Sequence, residues 1–106
     1  MPRGRPIGSI VRQNIVEMLA VMQKGYGYDI ARTYNKIFQK VTMRLVYYHL
    51  RKGIQTGEIK LDSVEKEKGD YSWGEDVEKK YYSLGEQAVV RGDDRVTEFF
   101  RNKANA

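Results

Sequence analysis

The hydrophobic period of this chain changes at one point, and that change restricts the fold more than any other feature. Met43, Val46, Leu50 and Ile54 recur at helical spacing and place an apolar arc on one side of a helix capped by Thr42. Gly53 and Gly57 are expected to close that helix. From Glu58 the pattern becomes alternation, with Ile59 and Leu61 separated by Lys60 and followed by Asp62, which predicts a strand. Lys79-Lys80-Tyr81-Tyr82-Ser83-Leu84 predicts the returning strand, beginning near Glu78, with Tyr82 and Leu84 turned inward. A helix that feeds straight into a long two-stranded hairpin requires an α+β domain.

The other arc of the same helix carries Arg44, Tyr48, Arg51 and Lys52, with Tyr47 at its edge. A helix coated in this way fits the groove of a polyanion, although a solvated helix face would look the same in sequence. The charge distribution favours the polyanion. Residues 1–60 hold 11 Lys/Arg against 3 Asp/Glu, a net of +8, whereas residues 61–106 hold 8 against 11, a net of −3. The positive charge is therefore concentrated on the helical half.

Upstream, residues 1–8 contain both prolines and should form an irregular basic arm. Ser9 offers an N-cap to a helix from Ile10 to Gln23, whose inner face would be Val11, Ile15, Met18, Leu19 and Met22. Gly25-Tyr26-Gly27 is expected to break it, because glycine permits the turn. A second helix then begins at Tyr28 or Asp29 and packs Ile30, Tyr34, Ile37 and Phe38 inward, with Arg32, Asn35 and Lys36 outward. Gln39-Lys40-Val41 makes a short turn into the third helix. Two helices joined by a tight turn, the second with a basic face, make a helix-turn-helix, and the hairpin behind it makes a winged helix. Gly69 to Asp76 forms the hairpin tip, and a last helix after Asp93 shows a short stripe of Val96, Phe99 and Phe100.

At 106 residues with 41% hydrophobic content, the chain is expected to be one domain with one core. It has no apolar run long enough to span a bilayer and no signal-peptide pattern. With no cysteine and a single histidine, His49, neither a disulfide nor a zinc site is expected. No nucleophile–base pairing, Walker loop or dinucleotide fingerprint is present, so neither catalysis nor a cofactor is expected. These features suit a cytoplasmic, nucleoid-associated protein without membrane or small-molecule partners.

Four motifs resemble the PadR-like branch of winged-helix transcription regulators. Gly25-Tyr26-Gly27-Tyr28-Asp29-Ile30 is similar to that family's Gly-Tyr-Gly-Tyr-Glu-Ile opening of the second helix. Val41-Thr42, Val46-Tyr47 and Leu50 match its recognition-helix spacing, Gly57 and Ile59 its wing start, and Lys79 to Leu84 its return strand. The resemblance covers residues 10–90 in unbroken order. Departures are Met43-Arg44-Leu45 where the family often has Pro-Gly-Thr, and Gly53 in place of a core leucine, whose packing Ile54 is expected to assume. The family's long C-terminal dimerisation helix is also much reduced here.

The resemblance implies a sequence-specific repressor of double-stranded DNA, organised as an arm (1–8), a winged-helix domain (9–90) and a C-terminal helix (91–106). Candidate DNA contacts at the start of the recognition helix, 42–53, are Thr42, Met43 and Arg44, with Arg44 able to reach base edges. Tyr47, Tyr48, Arg51 and Lys52 would meet phosphates, or, for Tyr47, pack at the core margin. Arg3-Gly4-Arg5-Pro6 is similar to an AT-hook core, so Arg3 and Arg5 would enter a narrow minor groove, unless the arm is only a tail. On the wing, Lys66 and Lys68 could approach phosphates, while Asp70, Glu75 and Asp76 would repel them. Tyr71 and Trp73 either cover apolar area or bind a partner. Val96, Phe99 and Phe100 are the candidate homodimer interface, or else they pack on the first helix. Two other functions stay open: an architectural protein for A·T-rich DNA, and a protein-interaction module.

Overall fold

The computed structural model describes residues 7–68 and 76–104. Its elements are α1 (Ile7–Met22), β1 (Gly25–Tyr26), α2 (Gly27–Ile37), α3 (Met43–Thr56), β2 (Ile59–Lys68), β3 (Asp76–Leu84) and α4 (Asp94–Ala104). The arm with Arg3 and Arg5 and the wing tip with Tyr71 and Trp73 lie outside the described residues.

One core draws on every helix and on the base of the hairpin. Val11, Ile15, Met18 and Leu19 of α1 meet Ile30, Ala31 and Tyr34 of α2, Val46 and Leu50 of α3, Ile59 and Tyr82 of the strands, and Val96 of α4. The helical spacing read from the sequence predicts these residues of α1 and α3, and Ile30 and Tyr34 but not Ala31 of α2. Polar ties fix the angles between elements. The Asn14 side-chain amide donates to the Tyr34 hydroxyl at 3.0 Å, and the Val41 N–H donates to Asn35 Oδ1 at 2.8 Å, holding the turn between α2 and α3.

The strands form an antiparallel sheet in the order β1-β3-β2. β1, which the sequence reading took for a simple break, pairs Gly25 with Tyr82 and Tyr26 with Tyr81. Its glycines are needed for close approach and not for turning, since neither has positive φ. A side chain at Gly27 would meet the Tyr47 ring at 2.8 Å, and one at Gly25 would meet Ile30 at 2.9 Å.

Several boundaries differ from expectation. α1 starts at Ile7, so Ser9 lies inside it rather than capping it. α3 continues through Gly53 to Thr56 and ends at Gly57, whose φ of 86° is the left-handed conformation that favours glycine. Gly53 is buried, and a Cβ there would sit 2.5 Å from Ile59 Cδ1. The space of the missing leucine is therefore filled by Ile59 from β2, while Ile54 is 41% exposed and does not take over that role. Met43, at the other end of the expected apolar arc, is equally exposed. Leu61 is 43% exposed because the hairpin leaves the body there, through a bulge between Leu61 and Ser63.

Asp93 caps α4 as expected, its Oδ1 accepting the Arg95 N–H at 2.9 Å. Val96 is 1% exposed and packs in the chain's own core, which removes it from the candidate dimer interface. Phe99 and Phe100 are half-buried, edge-to-face at 5.2 Å, and Phe100 also leans on the core. The segment leading into α4 is held by Glu17, a buried carboxylate of α1 that accepts the backbone N–H groups of Arg91 and Gly92, each at 2.9 Å.

Candidate nucleic-acid interface

α3 is built to present one face inward and one outward. Thr42 caps it, its Oγ1 accepting the Leu45 N–H at 3.1 Å, and this fixes the rotation of the helix about its axis. Val46, His49, Leu50 and Gly53 then face the core. Arg44, Tyr48, Arg51, Lys52 and Gln55 all lie on the exposed side. The helix contains no carboxylate along its whole length. Among the described residues, none of its three outward cations makes an ion pair.

Two arginines elsewhere are matched within the chain. Arg12 of α1 donates from Nε to Glu58 at 2.8 Å and reaches His49 Nδ1 at 3.2 Å, so it ties α1 to α3 and to the start of the wing. Arg95 is held by Asp93 at 2.8 Å, and this bond keeps the Asp93 carboxyl below the usual carboxylate range. Burial, reinforced by the Arg12 guanidinium and opposed by Glu58, pushes the His49 imidazole below its ordinary value. The lowered pKa favours the neutral imidazole, whose Nε2 is buried without a hydrogen-bond partner among the described residues.

Tyr47 lies between the two faces. Its ring rests on Gly27, and burial first, then the neighbouring tyrosines and Asp29, raise its hydroxyl pKa. It stays protonated and can donate. Beside it a cleft of about 160 Å3 opens between α3 and the hairpin stem, lined by Tyr26, Gly27, Tyr47, Lys80 and Tyr82.

On the wing, Lys66 is exposed; the backbone register pairs it with Glu78 and pairs Lys68 with Asp76. Gln55 was missed because the sequence reading ended the helix at Gly53. Its signal was present, since it continues the Arg44, Tyr48, Arg51 spacing by one more turn.

Solved structures with this architecture share little sequence with the chain. A PadR family transcription regulator from Clostridium difficile R20291 aligns over 90% of this chain and 83% of its own, with a TM-score of 0.51 at 21% identity. Bacillus subtilis PadR, solved in complex with operator DNA, aligns over 88% of this chain and 59% of its own, with a TM-score of 0.55 at 17% identity. The fold is the PadR-type winged helix. A putative transcriptional regulator from Thermoplasma acidophilum, TA0346, matches over 93% of this chain with a TM-score of 0.51 at 14% identity. No protein-family model and no curated protein matches the sequence. In this winged helix α3 is the second helix of the helix-turn-helix and β2–β3 form the wing. Among the described residues no group of three or more His, Asp or Glu could hold a metal ion, and no helix is long and apolar enough to cross a membrane.

Proposed function

We propose that this chain is a DNA-binding transcriptional regulator, not an enzyme, that inserts α3 into the major groove of duplex DNA. The observation that carries this reading is the outward face of α3, which has three cations without internal partners and no carboxylate to offset them. Leaving Arg44, Arg51 and Lys52 unpaired adds nothing to folding, and it supplies the electrostatic footprint of a phosphate-binding surface. Arg44, one turn from the helix start, is placed to reach a base edge, where a bidentate contact to guanine discriminates by about 1–3 kcal/mol. Arg51 and Lys52 meet the flanking phosphates and set register without reading sequence. Gln55 extends the same face and can pair with adenine. The solved Bacillus subtilis PadR complex with operator DNA supports this use of the fold.

Repression by promoter occupancy requires only affinity and position, which a domain of this size can supply. A homodimer would set two copies of α3 roughly 34 Å apart on a pseudo-palindrome. With Val96 committed to the core, Phe99 and Phe100 remain as its apolar candidates. Arg3 and Arg5 are proposed as minor-groove contacts on adjoining A·T-rich sequence. Such a protein works at the nucleoid in the cytoplasm.

Selection of bound duplexes from a random pool tests the reading. Enrichment of one motif, duplicated about one helical turn apart, is the expected result. Enrichment of A·T content without a motif would favour the architectural alternative. Absence of retained DNA at low salt would favour a protein-interaction module.

A further inference from the structure

The cleft between α3 and the wing stem belongs to neither the core nor the outward face of α3, and its lining is unusual for a gap between packed elements. Two tyrosines, Tyr26 and Tyr47, flank Gly27 at the start of α2, a helix that has no side-chain cap. Its first backbone N–H groups therefore lack a side-chain acceptor. Tyr82 lines it as well; the side chain is 5% exposed, and its hydroxyl, which makes no hydrogen bond among the described residues, is accessible rather than buried. A mostly buried tyrosine whose hydroxyl stays accessible beside the cleft can donate to a ligand held there. Lys80 supplies the charge.

Lys80 shares with Lys60, which pairs with Ser83, a register position without a carboxylate opposite, and it differs in this from the remaining lysines near the wing. Lys24 has Asp62 at 3.7 Å, while Lys79, Lys66 and Lys68 stand opposite Glu65, Glu78 and Asp76 in the β2–β3 register. Lys80 stands opposite Val64, and no acidic residue lines its cleft. The cleft, about 160 Å3, has room for a phosphate group.

We infer that this cleft is a seat for one DNA backbone phosphate, held by Lys80, the Tyr47 and Tyr82 hydroxyls and the uncapped start of α2. The inference rests on the DNA-binding reading and deepens it. A phosphate fixed there clamps one strand between the recognition helix and the wing stem, and so sets the depth and tilt at which α3 enters the groove. Gly27 belongs to this seat, since a side chain there would displace the Tyr47 ring. Asp29, in the first turn of α2, places one negative charge near Tyr47 without lining the cleft.

The test is a salt titration of duplex binding for the wild type, Lys80→Gln and Tyr47→Phe, with thermal midpoints measured alongside. Lys80 is exposed, so Lys80→Gln should fold as the wild type does. It should bind several-fold more weakly, with a log–log salt slope shallower by about one, and keep the wild-type ratio of preferred to random sequence. Tyr47→Phe should weaken binding to every sequence alike with the slope unchanged, because it removes a neutral donor. A Lys80→Gln protein whose affinity and slope equal those of the wild type overturns the phosphate seat alone. A wild-type protein that binds no duplex at low salt overturns the DNA-binding reading and the seat with it. Inorganic phosphate alone, titrated at fixed ionic strength, should leave the Tyr47 and Tyr82 ring resonances in place; saturable shifts would mark a free-anion site and contradict the strand-clamping role.

Discussion

The two faces of α3 use the same residue types in opposite ways. On the inner face a histidine is buried neutral, and the one arginine that reaches it, Arg12, is also bound to Glu58. On the outer face Arg44, Arg51 and Lys52 stand exposed without an ion pair among the described residues, and Tyr48 is exposed with its ring edge-on to His49 at 4.9 Å. The inner face matches most of its buried polarity within the fold, Arg12 joining His49 Nδ1 to Glu58, with His49 Nε2 as the exception. The outer face leaves its compensation to something outside the chain. Positive charge therefore says little about function until it is known which charges are already matched.

Substitutions on the two faces should separate folding from binding. Leu50→Ala, on the inner face, removes a fully buried side chain and should cost about 2–5 kcal/mol of stability. Urea unfolding will show this, and a loss under 1 kcal/mol would mean that α3 is not anchored as described. Arg44→Ala, on the outer face, should leave the unfolding midpoint unchanged while costing about 1–3 kcal/mol of affinity for the selected duplex and little for random DNA. Equal loss on both would move Arg44 from reading bases to contacting phosphates.

The third prediction concerns pH. The folded His49 pKa lies below its unfolded value, so the unfolded chain takes up that proton first as pH falls. This contribution to stability is complete above about 6.5 and is lost as pH falls through the lower folded value. Asp93, also depressed, adds a loss of the same sign at more acidic pH. Thermal melts from pH 7.5 to 5 should fall in the wild type and flatten in His49→Gln over the upper part of that range. A parallel decline in both proteins would remove His49 from the account. The smallest effect is expected at Gln23, which ends α1 with φ of 70°. Gln23→Gly should relieve that left-handed strain and stabilise by about 0.5–1 kcal/mol, without changing DNA affinity.

The recognition helix was the most legible part of the sequence, because its determinants are local. Thr42 as cap and Val46 and Leu50 at helical spacing need only their own neighbours. β1 was not legible: Gly25-Tyr26 is a strand solely because Tyr81 and Tyr82, more than fifty residues on, supply its partner. Gly53 was misread for a similar reason. Glycine in a helix suggests an end, but here it makes room for Ile59, a contact that exists only once β2 folds back. Nothing in the sequence singles out Glu17, and only the path of residues 91–92 gives its carboxylate a buried function. Val96 shows the same limit from the other side, since a short apolar stripe does not reveal whether its partner is the same chain or a second copy. At the candidate interface, residue identity was legible and residue pairing was not. Lys66 and Lys68 read as free cations until the strand register set carboxylates opposite them.

The most direct test is an amide- and side-chain-resolved NMR titration of the folded protein with a selected duplex. The account predicts that the largest shifts fall on Arg44, Tyr48, Arg51, Lys52 and Gln55, with α4 and the core-facing residues of α1 nearly still. Shifts centred on Phe99 and Phe100, or none on α3 at saturating DNA, would contradict it.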